Sequence, residues 1–450
     1  MQITSFKAYD VRGRIPDQLN AEIAYRIGNA VVEYLGAKRV VVGRDIRASS
    51  AELCDAVVRG INEAGADAID IGLGGTEMVY FATAALGADG GIMVTASHNP
   101  KDYNGLKIVR EDAKPISGDS GLTDIRELAE RDHRHVGERV GSVESVDIMA
   151  AYCETLLSFV AIDELRPLKI VVNPGNGGAG LVVDALQSKL PFDFVKLHYE
   201  PDGSFPNGVP NPMLPANRTA TADAVIASGA AIGIAWDGDF DRCFFFDHNG
   251  RFVDGYYIVG LLAEAMLARA PSDRIVYDPR VIWSTEEVVE RLGGTPVMSK
   301  SGHSFIKEVM RREDAVYGGE MSAHHYFRDF FYADTGMVPW LLVASIISVT
   351  GKSLAELVDE RIAAFPTSGE INRKVDDVDE TIQRVREHYE ASADGVVTID
   401  GVSLSFSEWR FNLRASNTEP VIRLNVESRG DAELMQAKTA ELLELIGGEA

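Results

Sequence analysis

Short apolar runs alternate with stretches of helical periodicity along most of this chain, and that alternation narrows the available folds more than any other feature. A strand that feeds a helix and returns parallel builds βα units, so the pattern predicts an α/β fold with mixed, mostly parallel sheets. In the first third, runs at 39–43, 68–71 and 90–94 read as strands, with helical stretches following Ser49-Ser50 and Thr76. Further strands are expected at 168–172, 231–236, 275–277 and 295–298. The polar residues 130–147 read as a crossing into a second domain. After Pro366-Thr367-Ser368-Gly369 the pattern changes to a helix at 377–389, several adjacent strands between 396 and 426, and a closing helix at 431–445, the order of an α+β domain. No short-period repeat is visible, but three successive α/β rounds of similar length are.

With 450 residues there is room for three domains of about 150 residues, or four smaller ones. A hydrophobic content of 46% with 25% charged residues is that of an ordinary globular chain. The net charge of -24 weighs against a nucleic-acid partner, because phosphate backbones reward basic surfaces. It does not exclude an anionic small substrate, since a cleft lined by a few Arg and Lys sets its own field. Cys54, Cys153 and Cys243 are far apart and odd in number, with no C-x-x-C spacing, so reduced thiols are expected rather than disulfides or a zinc site. The first residues lack the apolar core of a signal peptide, and no window approaches about 18 consecutive apolar residues. A cytoplasmic protein with no membrane partner is expected.

Four segments carry chemistry. Thr95-Ala96-Ser97-His98-Asn99-Pro100 follows the strand at 90–94, which predicts Ser97 on an exposed loop at a strand's carboxyl end, beside an imidazole. Asp237-Gly238-Asp239-Phe240-Asp241-Arg242 follows the strand at 231–236, and its three carboxylates at alternate positions suit a hard cation such as Mg²⁺ or Ca²⁺. An EF-hand is ruled out because Arg242 stands where that loop needs Gly and His248 where it needs Glu. Lys300-Ser301-Gly302-His303-Ser304 and Gly318-Gly319-Glu320-Met321-Ser322-Ala323-His324-His325 offer an acceptor and a hydroxyl for sugar hydroxyls, with His303 a candidate acid or base. Arg414-Ala415-Ser416-Asn417-Thr418-Glu419-Pro420 joins two expected strands and supplies a guanidinium fork, hydroxyls and an amide for an oxyanion or phosphate. A fifth segment competes with these: Gly175-Asn176-Gly177-Gly178-Ala179-Gly180, with Glu200 downstream, fits a dinucleotide fingerprint and is the case for an NAD(P)-dependent dehydrogenase.

Taken together, the serine, aspartate, sugar-type and phosphate-type segments, in this order, resemble the α-D-phosphohexomutases, within them the bacterial phosphomannomutase and phosphomannomutase/phosphoglucomutase group. The resemblance covers essentially the whole chain. It implies three related α/β domains at 1–147, 148–250 and 251–366 and a smaller α+β domain at 367–450, around a central cleft that a hinge near 366–369 opens. It implies a phosphoserine at Ser97, with Ser97, Asp237, Asp239 and Asp241 holding Mg²⁺. Glu320 and Ser322 would read the sugar ring, and Arg414, Ser416, Asn417 and Thr418 would grip the phosphate that is not transferred. Tyr9, Arg242, Arg280, Lys300, Gly302, His303, His324 and Arg423 are expected among the substrate contacts. Arg12 and His98 are expected at the reacting phosphate, and Lys107 or His303 as the base. The implied reaction interconverts mannose 6-phosphate and mannose 1-phosphate through a hexose 1,6-bisphosphate, which also serves as activator, in a monomer or weak dimer. A predominantly phosphoglucomutase activity is the alternative. Within this resemblance the glycine-rich turn at 175–180 needs no dinucleotide. Glu320-Met321-Ser322 favours mannose and glucose phosphates over the glucosamine branch, while Ala323 replaces a glycine frequent there and His325 adds a second histidine.

Overall fold

The computed structural model describes residues 1–416 and 421–448. The chain gathers into two compact units, one of Met1–Phe252 with His324–Gly351, the other of Val253–Ala323 with Lys352 onward.

In the first unit, the leading sheet runs in the order Val11–Arg14, Tyr103–Arg110, Gly90–Val94, Arg39–Arg44, Asp67–Leu73, Val143–Ser145. Arg39–Arg44 is parallel to Gly90–Val94 and Asp67–Leu73, while Tyr103–Arg110 runs antiparallel to Gly90–Val94. The central strands read as unbroken apolar runs because helices cover them: Val40, Val41, Val42, Ile92 and Val94 are fully buried. Helix Ala21–Leu35 is capped by Asn20, whose Oδ1 accepts from Ile23 N at 3.1 Å, and stops at Gly36 in the left-handed region with φ 60. Residues 130–147 do more than cross between domains, since Val143–Ser145 extends this sheet parallel to Asp67–Leu73. The cause is Asp67, whose carboxylate collects Arg139 at 2.6 Å and the Ser142 N–H at 2.7 Å and so lays the segment along the sheet edge.

The second sheet of this unit includes Cys243–Asp247, Ile232–Trp236, Lys169–Asn173 and Asp193–Lys196, in that order. Ile232–Trp236 is parallel to Lys169–Asn173 and antiparallel to Cys243–Asp247, and every residue of Ile232–Trp236 and Cys243–Asp247 is buried. The glycine-rich turn between Lys169–Asn173 and helix Ala179–Gln187 packs on protein. A Cβ on Gly178 would meet the Phe240 ring at 3.2 Å, and Tyr199 Oη donates to the Gly180 carbonyl at 2.8 Å. A hairpin of His325–Phe327 and Ala333–Asp334 leads into the buried helix Met337–Thr350. Among the described residues no single helix is long and apolar enough to cross a membrane.

In the second unit, Arg274–Tyr277 is parallel to both Thr295–Met298 and Tyr317–Gly319, with helices Gly255–Arg269, Trp283–Arg291 and His303–Glu313 beside them. The C-terminal sheet is antiparallel at every pairing in the order Ile371–Lys374, Val421–Ser428, Trp409–Ala415, Val402–Ser405, Gly395–Val397. Helices Val378–Tyr389 and Ala432–Ile446 enclose a core that includes Val385, Phe411, Leu413, Ile422, Leu424 and Leu442. Both helices start on an aspartate cap: Asp377 accepts from Glu380 N at 2.9 Å and Asp431 from Leu434 N at 2.8 Å. The segment expected as a hinge is pinned to the strand Val421–Ser428, with Ser368 N donating to Val426 O and Val426 N to Ser368 Oγ, both at 2.9 Å. The buried Glu427 accepts from Arg410 Nη1 at 2.8 Å, Tyr256 Oη at 2.9 Å and Ile282 N at 2.7 Å, tying the C-terminal sheet to the preceding α/β layer.

Candidate active site

Ser97 begins the turn that follows strand Gly90–Val94, and it is buried at 2% exposure, not exposed as its loop position suggested. Two neighbours cover it. Gly238 approaches so closely that a Cβ there would lie 2.4 Å from the Ser97 carbonyl oxygen. Arg47 wraps the loop from the other side, donating to the carbonyls of Ser97 (2.8 Å), Asn99 (2.6 Å), Pro100 (2.8 Å) and Tyr103 (3.0 Å). Ser97 itself holds a left-handed backbone, φ 49, and its N–H donates to Thr95 Oγ1 at 2.9 Å. A non-glycine residue in that region signals a site whose surroundings overdetermine it.

Asp237, Asp239 and Asp241 lie in the connection between Ile232–Trp236 and Cys243–Asp247, and none is more than 1% exposed. The intervening Phe240 turns a fully buried ring into the core, and the three carboxylates gather with one oxygen of each within 4.8 Å of the others. Ser97 Oγ donates to Asp237 Oδ2 at 2.9 Å and lies 3.0 Å from His98 Nδ1 and 3.4 Å from Arg242 Nη2. Arg242 Nε donates to Asp237 Oδ2 at 2.8 Å, and its Nη2 also donates to His98 Nδ1, so that nitrogen is the acceptor. Lys107 donates to Asp239 Oδ2 at 2.7 Å and to Asp241 Oδ2. Thr76 Oγ1 donates to Asp239 Oδ2 at 2.5 Å.

Burial and charge together set the titration of these groups. Burial raises Asp237 above the ordinary carboxylate range, although Arg242 works against it. Burial also disfavours ionised Asp241, but Lys107, His324 and Arg242 outweigh it and hold that carboxyl low. For Lys107, burial favours the neutral amine, yet Asp239 and Asp241 prevail and raise it. Lys107 is thus a counter-charge to both carboxylates. Burial, reinforced by Arg242 and Arg12, pushes His98 well below the ordinary imidazole value.

The acidic group fits a hard divalent cation. Its donors are all carboxylate oxygens, and Asp239 Oδ1 and Asp241 Oδ1 are buried atoms that accept no hydrogen bond from the described residues. His324 joins this cluster, its Nε2 lying 3.8 Å from Asp241 Oδ1 and its backbone bridging that of Arg242. Arg12 reaches the serine loop, donating to Asn99 Oδ1 and bonding Asp10 at 2.8 Å, and Tyr9 sits half-buried next to Asp10.

The second unit assembles another group. Arg280, buried at the end of strand Arg274–Tyr277, bonds Asp278 through Nε at 2.8 Å and Nη2 at 2.9 Å. Its Nη2 lies 3.4 Å from Ser322 Oγ and 3.6 Å from Glu320 Oε1, and Asp278 accepts from Met321 N at 2.9 Å, so one aspartate aligns the arginine and the loop. Glu320 Oε1 accepts from Gly302 N at 2.8 Å, and Gly302, with φ 124, needs glycine to turn the chain into helix His303–Glu313. His303 is half-buried at the start of that helix, and Lys300 lies over the Phe305 ring. Glu370 collects Arg414 at 2.9 Å, Arg423 at 3.3 Å and Arg280 at 3.6 Å; burial raises its carboxyl, but the three guanidinium groups outweigh that and hold it low. Ser416 is half-buried, its N–H donating to Val421 O at 2.9 Å, whereas Asn417 and Thr418 lie outside the described residues.

Sequence reasoning missed Arg47, Thr76, Asp278 and Glu370. Arg47 and Asp278 had a usable signal, since both stand just past the carboxyl end of a buried strand, where ligand-binding residues collect in α/β sheets.

A serine hydroxyl held against a buried three-carboxylate cluster, within the α/β sheets of the first unit, suits an enzyme of phosphoryl-transfer type. The four domain descriptions of phosphoglucomutase/phosphomannomutase match this sequence: alpha/beta/alpha domains I, II and III over residues 4–135, 150–250 and 254–365, and the C-terminal domain over 370–444. The chain belongs to the phosphoglucomutase/phosphomannomutase family, whose members are isomerases. It is 57% identical over 451 residues to a phosphomannomutase of Salmonella montevideo, covering 99% of each chain. It is likewise 57% identical over 448 residues to a protein of Xanthomonas campestris pv. campestris described as phosphohexose mutases, covering 100% of each. Among solved structures it is similar to a phosphoglucomutase/phosphomannomutase family protein from Burkholderia thailandensis, with a TM-score of 0.89 and 33% identity over 100% of this chain and 99% of that one.

Proposed function

We propose that this protein is a phosphomannomutase that interconverts mannose 6-phosphate and mannose 1-phosphate and also accepts glucose phosphates. The observation that carries the reaction type is Ser97 Oγ, buried and bonded to Asp237 inside the carboxylate cluster. The substrate class is supported by full-length relatives, at 52% to 57% identity, that bear the name phosphomannomutase.

In this reading Ser97 carries the phosphoryl group. Its P–O bond breaks as the free hydroxyl of a hexose monophosphate attacks, giving the 1,6-bisphosphate and returning a proton to Ser97 Oγ. The bisphosphate turns over and its other phosphoryl group passes back to Ser97, so hexose 1,6-bisphosphate also primes an unphosphorylated enzyme. Mg²⁺ held by Asp237, Asp239, Asp241 and the phosphoserine would neutralise charge on the transferred group. Arg242, 3.4 Å from Ser97 Oγ, and Arg12, bonded to Asn99, present guanidinium groups to the phosphoryl oxygens. Lys107 supplies a counter-charge to Asp239 and Asp241. Glu320 and Ser322 read ring hydroxyls, and Arg414, Arg423, Ser416, Asn417 and Thr418 hold the second phosphate. Lys107 and His303 remain the candidate bases. The three cysteines are free and buried, which fits a reducing cytoplasm.

The test is a side-by-side rate comparison on mannose 1-phosphate and glucose 1-phosphate with a bisphosphate activator, together with the intact mass of the purified protein. A phosphoryl group on Ser97, turnover of both sugars and loss of nearly all activity in Ser97→Ala are expected. Full activity in Ser97→Ala would sink the assignment.

A further inference from the structure

Thr76 opens helix Thr76–Ala85 and is fully buried. The residue before it, Gly75, has no side chain to cap the helix, and a Cβ there would meet the Phe240 ring at 2.4 Å and the Asp239 carbonyl at 2.6 Å. The helix start is thus pressed directly on the aspartate loop. Thr76 makes two bonds to one residue: its N–H donates to the Asp239 carbonyl at 3.1 Å and its hydroxyl to Asp239 Oδ2 at 2.5 Å. Lys107 donates to that same oxygen at 2.7 Å.

Two donors on Oδ2 fix the rotation of the carboxylate and leave Oδ1 as the oxygen without a donor among the described residues. Lys107 cannot set that rotation alone, because its ammonium is shared with Asp241 and follows both carboxylates. Thr76 anchors backbone and side chain of Asp239 together, and its β-branched side chain has few rotamers in a helix. We propose that Thr76 is a positioning residue that orients Asp239 for divalent-cation binding and, through it, phosphoryl transfer at Ser97. The proposal rests on the metal reading above. Outer-shell partners of metal ligands act by this means, and their loss commonly costs about 10- to 100-fold in affinity or activity.

Thr76→Val keeps the shape and removes the hydroxyl, Thr76→Ala removes it without adding a methyl, and Thr76→Ser keeps it. The full-length protein is titrated with Mn²⁺ alone, free ion being read by electron paramagnetic resonance, and kcat and KM are measured separately. Thr76→Val and Thr76→Ala are expected to weaken Mn²⁺ binding about tenfold and lower kcat by a similar factor, with KM for the hexose phosphate within about twofold and Thr76→Ser close to wild type. Wild-type binding that Thr76→Val or a folded Thr76→Ala matches overturns the proposal alone, as does equal weakening in Thr76→Ser, which would mark a packing role. A wild-type protein that takes up no Mn²⁺ overturns the metal reading and the proposal with it.

Discussion

Arg414 donates to Glu370 Oε2 at 2.9 Å, and the same carboxylate lies 3.3 Å from Arg423 and 3.6 Å from Arg280. Three guanidinium groups this close repel one another unless an anion sits among them, so Glu370 is what lets the second unit present several arginines in one place. Glu370→Gln removes that charge and keeps the shape. KM for hexose phosphates should rise about tenfold while kcat stays within about threefold, the pattern of lost binding that is uniform between ground and transition states. Steady-state kinetics on mannose 1-phosphate checks this, and an unchanged KM would show that the arginines hold their places without Glu370.

Glu77, next to Thr76, gives a dependence on pH. Its buried carboxylate accepts from Thr335 Oγ1 at 2.7 Å, Gly336 N at 2.5 Å and Tyr152 Oη, yet burial pushes the carboxyl up to about 8 from an ordinary value of 4.5. Between those values the unfolded chain has ionised and the native protein still holds the proton. The stabilising contribution is therefore complete below about 4.5 and is lost as pH rises through about 8. Its full size is on the order of a few kcal/mol. Thermal unfolding of wild type and Glu77→Gln, compared from about pH 5.5 to about pH 8.5, should show wild type losing ground to the variant as pH rises. A constant difference would mean that these three donors keep Glu77 ionised throughout.

The central strands and the aspartate cluster were legible because each is encoded locally. Runs such as 40–43 and 231–236 are apolar at every position since both faces are covered, and Asp237, Asp239 and Asp241 announce themselves by spacing. What escaped depends on partners brought from far along the chain. Thr76 looks like an ordinary helix start until folding sets it against a residue 163 positions away, and Glu370 is one carboxylate in an acidic chain until Arg280 and Arg414 reach it. The exposed position expected for Ser97 failed for the same reason, because Arg47 and Gly238 close over a loop that its own sequence describes as open. Val143–Ser145 is three exposed residues long, and it is a strand through its pairing with Ala68–Asp70, beside which the bonds of Asp67 hold it.

Arg47 is the clamp on the serine loop, and its geometry makes a specific demand. One guanidinium reaches four carbonyls, from Ser97 to Tyr103, through two nitrogens. A lysine ammonium keeps the charge but is a point donor on a flexible stem and cannot span that set. Arg47→Lys should therefore lower kcat by about 100-fold, the scale expected when a reacting group is displaced by about an ångström. Phosphorylation of Ser97, followed by intact mass after incubation with hexose 1,6-bisphosphate, should slow in parallel. Wild-type kinetics in Arg47→Lys would show that charge alone holds the loop.

Gly238 sets the distance between the serine and aspartate loops. Its Cβ would stand 2.4 Å from the Ser97 carbonyl oxygen and 3.2 Å from the carbonyl carbon, and backbone atoms cannot swing aside as a flexible side chain can. In Gly238→Ala the two loops must part, which lengthens the 2.9 Å bond from Ser97 Oγ to Asp237 and moves the hydroxyl from the carboxylate cluster. Overpacking of this kind typically costs about 1 to 3 kcal/mol, and the displacement should cost roughly 100-fold in kcat. Gly87→Ala is the matched control: its φ of 58 strains any other residue, but no atom lies within 4 Å of the added carbon. That variant should lose about 1 to 2 kcal/mol of stability and keep wild-type kcat. Melting curves and initial rates on both proteins separate the two effects, and equal kcat in Gly238→Ala and Gly87→Ala would show that the close approach of the loops has no part in turnover.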